Sequence, residues 1–296
     1  MDPLIVEVRR NGLAEARHRV HAVAVKDGVV VAESGDAGLT CFMRSSSKPI
    51  QALPLARARA DLDQRDLAIT SASHRATGDQ IAAVRALLAK APATEDDLEL
   101  GVQKGRPPQK IFHNCSGKHA GMLALCRAHS WPVTNYRLPD HPVQQASAAA
   151  HAEAVEADEE ELPTGTDGCG VVTFALPLER MAYAFARFER LPQGDRVANA
   201  MRAHPDLVGG PDGADYHLMR AAVGWFSKGG AEGLLCAGGP EGIGVALKSE
   251  DGADRPLGPA LAAFLQPFGV SLPDLAIAPV MNSRGELVGE LMVKTS

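Results

Sequence analysis

The segment Arg19-Val-His-Ala-Val-Ala-Val-Lys26-Asp27-Gly28-Val-Val-Val-Ala-Glu-Ser-Gly-Asp36 reads as two β-runs joined by a tight turn. The β-branched valines favour extended backbone, and Asp27-Gly28 supplies the residue types that tolerate the positive φ a short hairpin turn needs. A matching signal lies near the other end. The runs Gly233-Leu-Leu-Cys-Ala-Gly238 and Gly242-Ile-Gly-Val-Ala-Leu-Lys248 flank Pro240-Glu241, and residues 287–293 form a further strand. Between these ends, apolar spacing predicts helices at 80–91, 117–129, 143–155, 176–190 and 196–204, with another near 259–265. The glycine-rich stretches 209–213 and 229–230 read as loops. Strands around a helical middle, roughly 75–230, predict an α/β fold of the α+β kind. One antiparallel sheet is built from both chain ends and covered by helices, so the ends of the chain are neighbours in space. Residues 1–296 are then a single domain.

Composition narrows the function. A chain of 296 residues with 45% hydrophobic content can bury a sizeable core. A net charge of -6 with no run of Lys and Arg argues against a nucleic-acid surface. The opening Met1-Asp2-Pro3-Leu4-Ile5-Val6 lacks the positive charge of a secretory signal, and no apolar stretch reaches membrane-spanning length, so a cytoplasmic protein is expected. Cys41, Cys115, Cys126, Cys169 and Cys236 are odd in number and widely spaced, which suits free thiols or metal ligands rather than a disulfide framework.

Five polar constellations stand out. In Arg44-Ser45-Ser46-Ser47-Lys48-Pro49-Ile50, Ser45 and Lys48 stand three residues apart at a helix start, on one helical face. A serine becomes nucleophilic when a neighbouring amine can be held neutral; the alternative is a helix cap followed by a solvated lysine. The run His113-Asn114-Cys115-Ser116-Gly117-Lys118-His119 precedes an apolar helix, and capping explains its Asn and Ser but not Cys115, Lys118 and His119 together. In Gly165-Thr166-Asp167-Gly168-Cys169-Gly170, glycines flank an acid and a thiol, as a plain turn or as a site. Cys115 and Cys169 could share a metal, although their spacing matches no common zinc pattern. Ser71-Ala72-Ser73-His74 follows the apolar run Leu67-Ala68-Ile69 and reads as the end of a strand. Lys248 closes a strand, where a solvated lysine is the ordinary reading. Cys126, Cys41 and Cys236 read as core residues, and Arg75 as a solvent-facing one.

Taken in this order, the motifs resemble the rhizobial-type L-asparaginases, also called the thermolabile or asparaginase II family, from about Val6 to the C-terminus. The resemblance implies a fold like serine β-lactamases and glutaminases, usually as a homodimer, and hydrolysis of L-asparagine to L-aspartate and ammonia. It implies Ser45 as nucleophile, Lys48 as its base, Ser73 with Lys248 as a second Ser–Lys pair, and Arg44, His119 and Asp167 completing the site. It further implies a zinc ion held by Cys115, Lys118 and Cys169. Two rival readings are a glutaminase or β-lactam hydrolase of the same fold, and a non-catalytic binder of zinc or amino acids. Small residues more often follow the Ser-His pair in the family, whereas this chain has Arg75-Ala76-Thr77.

Overall fold

The computed structural model describes residues 1–294. Its strands are β1 (Leu4–Arg10), β2 (Leu13–Lys26), β3 (Val29–Ser34), β4 (Thr40–Phe42), β5 (Thr164–Thr166), β6 (Val172–Pro177), β7 (Phe226–Gly230), β8 (Leu234–Gly239), β9 (Ile243–Ser249), β10 (Ile277–Met281) and β11 (Leu287–Val293). Its helices are α1 (Lys48–Ala58), α2 (Gln64–Thr70), α3 (Gly78–Lys90), α4 (Ser116–Ala128), α5 (Pro142–Val155), α6 (Leu178–Arg187), α7 (Gly194–Ala203), α8 (Pro205–Val208), α9 (Ala214–Ala221), α10 (Leu257–Leu265) and α11 (Pro273–Ala276). These elements form two compact units. One comprises Met1–Cys41, Pro177–Ala186 and the chain from Asp212 onward; the other comprises Phe42–Leu176 and Arg187–Pro211.

The first unit is a mixed α/β body built on an eight-stranded sheet in the order β10-β11-β1-β2-β9-β8-β7, with β3 paired to β2 off that path. Its pairings are antiparallel, and the two ends of the chain meet in it, Val6 opposite Val293. The expected hairpin over 19–36 forms with Lys26 opposite Val29. Alternation sorts the side chains of β2, β8 and β9 to two faces. Ala22, Ala24, Leu235, Ala237, Val245 and Leu247 share one buried core with Ala260, Leu261 and Leu265 of α10. On β9, Gly244 lets α6 come very close: a Cβ there would lie 2.0 Å from the Ala182 carbonyl oxygen.

Four local expectations change. The run Leu67-Ala68-Ile69 is helical rather than a strand, because Asp63 and Asp66 form a reciprocal capping box that starts α2. Residues 229–230 belong to strand β7 rather than a loop, their missing side chains compensated by pairing with Leu235 and Leu234. The helix expected from 176 begins at Leu178, since Leu176 and Pro177 complete β6. Strands β1 and β10 and the short helices α8, α9 and α11 were not legible in the apolar spacing.

Candidate active site

The second unit brings most of the expected polar residues together. Arg44 adopts a left-handed backbone, φ 49°, uncommon for a residue with a Cβ, and opens a one-turn 3-10 segment, Arg44–Ser47, that runs into α1. The Lys48 backbone N–H donates to the Ser45 carbonyl there, and Pro49 occupies the first turn of α1, where a missing N–H costs nothing. Lys48 is fully buried. Its ammonium donates to Ser73 Oγ at 3.0 Å and to the Ala72 carbonyl at 2.5 Å. Ser45 is half-buried, and its hydroxyl makes no hydrogen bond among the described residues.

Ser73 reaches Lys48 because α2 ends just before it and α4 crosses close by. Gly117 and Gly121, one turn apart on α4, lie against Ile69 and Thr70: a Cβ at Gly117 would stand 2.2 Å from the Ile69 carbonyl oxygen. The Ser73 N–H donates to Val208 at 2.8 Å, and the His74 N–H to Asn114 at 3.1 Å. His74 is wholly buried, and its partners fix its tautomer. Nδ1 accepts from the Ala76 N–H, while Nε2–H donates to Ser116 Oγ, whose own proton goes to Ile111. Burial, reinforced by the charges of Lys48 and Arg106, lowers its pKa to about 3. Arg75 is exposed, as expected.

Cys115 caps α4, and Lys118 and His119 follow at i+3 and i+4, on the same face. The turn between β5 and β6 delivers Asp167 and Cys169 to them, closed by the Gly170 N–H to Asp167 and the Asp167 N–H to Val171. Lys118 Nζ lies 3.0 Å from Cys169 Sγ and 3.9 Å from Asp167 Oδ2. The Cys115 thiol donates to Cys169 and holds it as a thiolate against the cost of burial, with Lys118 and His119 assisting. The same hydrogen bond, with burial, raises the Cys115 thiol. Burial works against the Lys118 charge, yet the two sulfurs and Asp167 outweigh it and raise its pKa. Each shift favours a thiolate at Cys169 and an ammonium at Lys118. Among the described residues no three His, Cys, Asp or Glu side chains converge as a metal site.

Arg44 Nε pairs with Asp167 Oδ1 at 2.7 Å, so two residues expected to complete the site are adjacent and hold each other. His119 is buried together with Tyr136, a residue that no sequence motif marks. Tyr136 Oη accepts from the Glu99 N–H at 2.8 Å, so its own proton goes to His119 Nδ1 at 2.7 Å. That leaves the proton on His119 Nε2, which finds no partner of normal hydrogen-bond geometry but is near enough to Cys169 to help hold the thiolate. Only the scarcity of tyrosine, three in the chain, marked Tyr136 in the sequence. Replacing Tyr136 with phenylalanine strands both His119 Nδ1 and the Glu99 N–H. We expect about 1–3 kcal/mol of lost stability, read as a lower urea midpoint.

Lys248 belongs to the first unit. It stands on β9 opposite His21 of β2 and Leu234 of β8, half-buried, and its ammonium donates to the Ser249 carbonyl. His18 bonds Asp251 at 2.5 Å and His21 bonds Glu250 at 2.8 Å, which pins the turn that follows it. The same sheet holds a more deeply buried lysine. Lys228 on β7 is 1% exposed, donates to the Gly229 carbonyl at 2.8 Å and lies 3.5 Å from Asp215, 7% exposed. No alternation marks this strand in the sequence, since Phe226, Ser227 and Lys228 are all buried in succession. Of the other thiols, Cys126 and Cys236 are buried and Cys41 half-buried on β4; burial pushes Cys41 and Cys126 up to about 11. No helix of the described chain is long and apolar enough to cross a membrane.

Similar solved structures include one described as Mglu in its native form, 14% identical over 93% of this chain and 70% of that one, with a TM-score of 0.45. Another is SurE with D-Leu, 12% identical over 94% of this chain and 83% of that one, with a TM-score of 0.44. No curated protein matches the sequence. The family model described as L-asparaginase II matches residues 6–293, which include the strands from both chain ends and the whole polar cluster of the second unit. The chain belongs to the L-asparaginase II family.

Proposed function

We propose that the protein hydrolyses L-asparagine to L-aspartate and ammonia through an acyl-enzyme on Ser45. The observation that carries this reading is the fully buried Lys48 amine, seated at the start of α1 one turn after Ser45 and hydrogen-bonded to Ser73 Oγ. A fully buried lysine that donates to the neutral oxygens of Ser73 and Ala72 is placed to work as a base in its deprotonated form. The Ser45 proton is not committed to another described group. Neutral Lys48 takes that proton as Ser45 Oγ attacks the side-chain amide carbon, and the carbonyl electrons move to oxygen. Collapse of this intermediate breaks the C–N bond as Lys48 returns the proton to nitrogen, releasing ammonia and leaving a β-aspartyl ester. Water, deprotonated by the same amine, then hydrolyses the ester and restores Ser45. The Arg44–Asp167 pair presents both charges that the substrate's α-carboxylate and α-ammonium require, and His119 lies behind it.

Ser73 is the hydroxyl of a second Ser–Lys pair, its lysine expected at Lys248. Lys248→Met tests that assignment: a loss of turnover as large as that of Ser73→Ala supports it, and an unchanged kcat removes Lys248 from the site. Zinc fits the donor set of Cys115, Lys118 and Cys169: the two sulfurs and the amine are already in contact, and thiolates are preferred zinc ligands. Its binding would require the Cys115 thiol and the Lys118 ammonium to give up their protons, and its chemistry would be to polarise and organise this wall of the site. We also propose a fold related to serine β-lactamases and glutaminases, a single domain over the whole chain, a homodimer, and a cytoplasmic location without nucleic-acid or membrane partners.

The test is ammonia release from L-asparagine and L-glutamine by wild type and Ser45→Ala, with zinc content measured on the same samples. Asparagine-selective release that disappears in the variant is the expected result. Release surviving in Ser45→Ala moves the nucleophile to another serine, preference for glutamine or a β-lactam makes the protein a different hydrolase, and no release from wild type leaves a binding protein.

A further inference from the structure

In the second unit, residues of α1, α2, α4 and α5 line a small, largely enclosed cavity, with Gln51, Thr70, Lys118 and Ser147 among its walls and apolar side chains for the rest. About 10 Å³ of it is open to the centre of a water molecule, the room of a single water. Two of its wall residues leave buried oxygens unpaired: Gln51 Oε1 and Ser147 Oγ make no hydrogen bond. Gln51 is 9% exposed and Ser147 2%, so neither oxygen reaches bulk solvent. Both residues line the same small cavity, and their unpaired oxygens are an acceptor and a hydroxyl that one water can serve together. Buried polar atoms of folded proteins are nearly always paired, with protein or with ordered water. The remaining polar walls are occupied in part: Thr70 Oγ1 donates to the Asp66 carbonyl at 2.8 Å, and Lys118 gives one of its three N–H groups to Cys169.

We propose that this cavity is a binding site for one ordered water, which donates to Gln51 Oε1 and accepts the Ser147 hydroxyl proton. The water also accepts an N–H of Lys118, which shares its wall, and through it Gln51 and Ser147 act as positioning residues for Lys118. Gln51 lies one turn beyond Lys48 on α1, so the water ties the helix that bears Lys48 to the wall that bears Lys118. The occupant is water rather than an apolar molecule because two of its walls are oxygen atoms in need of partners, and a dry cavity would leave both unpaired. The positioning role rests on the function proposed above; the water itself does not.

High-resolution crystal structures of wild type, Ser147→Ala, Ser147→Thr and Gln51→Met test it. In wild type, density for one water within hydrogen-bond distance of both oxygens is expected. Ser147→Ala and Gln51→Met should lose it, and Ser147→Thr, which keeps the hydroxyl, should retain it. An empty cavity in wild type, or Gln51 bonded directly to Ser147, overturns the proposal. In parallel, kcat on L-asparagine should fall roughly tenfold in Ser147→Ala with KM within about twofold, and return with Ser147→Thr, as expected when a reacting group is displaced by a fraction of an ångström. Loss of the water with kcat unchanged sinks the positioning role. A wild type inactive on both amides sinks the proposed function, while the density still decides the water.

Discussion

Lys48→Met is expected to abolish amide hydrolysis as completely as Ser45→Ala, and the double variant to lose no more than either single one. The reason is that a nucleophile and its base act as one unit: without the amine the hydroxyl keeps its proton, and without the hydroxyl the amine has nothing to deprotonate. Groups coupled in this way are strongly non-additive, and losses on the order of 10³-fold or more in kcat are typical for each. Methionine suits the site because Lys48 is fully buried, so its stem packs among apolar neighbours and a similar volume avoids a cavity. The variant also leaves Ser73 Oγ and the Ala72 carbonyl without the Lys48 donor. Urea unfolding must therefore accompany the kinetics, so that a folded, inactive protein is distinguished from an unfolded one. The informative contrast is Ser73→Ala. A loss as large as that of Lys48→Met would make Ser73, the observed partner of Lys48, the leading hydroxyl and displace Ser45.

The second large effect is on stability. Below about pH 6.5 the protein should weaken steeply, because burial holds two histidines neutral in the fold. His74 is lowered from 6.5 to about 3 and His151 from 6.5 to about 4. The unfolded chain binds protons that the folded chain refuses, so stability rises with pH through this window and is lost as pH falls. Each ring contributes up to about 1.4 kcal/mol per pH unit, so the two together contribute about 5 kcal/mol between pH 6 and 4. His113, also lowered to about 4 by burial but only about half buried, adds a smaller share. Against a net stability of about 5–15 kcal/mol, two pH units suffice to unfold much of the population. Carboxylates such as Asp61, held near 2 chiefly by its hydrogen bond from Arg59, begin to lose their contribution only below about pH 4, so they do not account for this slope. The measurement is the urea midpoint between pH 7.5 and 4.5. His151→Phe should flatten the curve by nearly half, since His151 is wholly buried, its Nε2 has no partner and its ring packs against Phe174. A midpoint that stays level from pH 7 to pH 5 would show that the rings take up protons in place.

Local chemistry made much of this protein readable from its sequence. Valine runs around Asp27-Gly28 and around Pro240-Glu241 specify hairpins because extended backbone and turn geometry are properties of a few adjacent residues. The spacing of Cys115, Lys118 and His119 places them on one helical face for the same reason, and the order of the polar motifs carried the family, now matched over residues 6–293. Partnership was decided by the tertiary structure. Nothing in Ser-x-x-Lys says that the Lys48 amine will bond Ser73, 25 residues away; that follows from α4 crossing α2 at Gly117 and Gly121. The Tyr136 to His119 bond and the pairing of Arg44 with Asp167 across 123 residues arise in the same way. So does the burial that lowers His74 and His151, because desolvation depends on what packs around a ring, and those atoms come from distant parts of the chain. The sequence by itself determined the hairpins, most of the longer helices and the family; the fold decided where the glycine-bearing strand β7 and the short helices form, which charged groups meet, which are neutral and which oxygens are left for water, because these are set by three-dimensional packing rather than by neighbours along the chain.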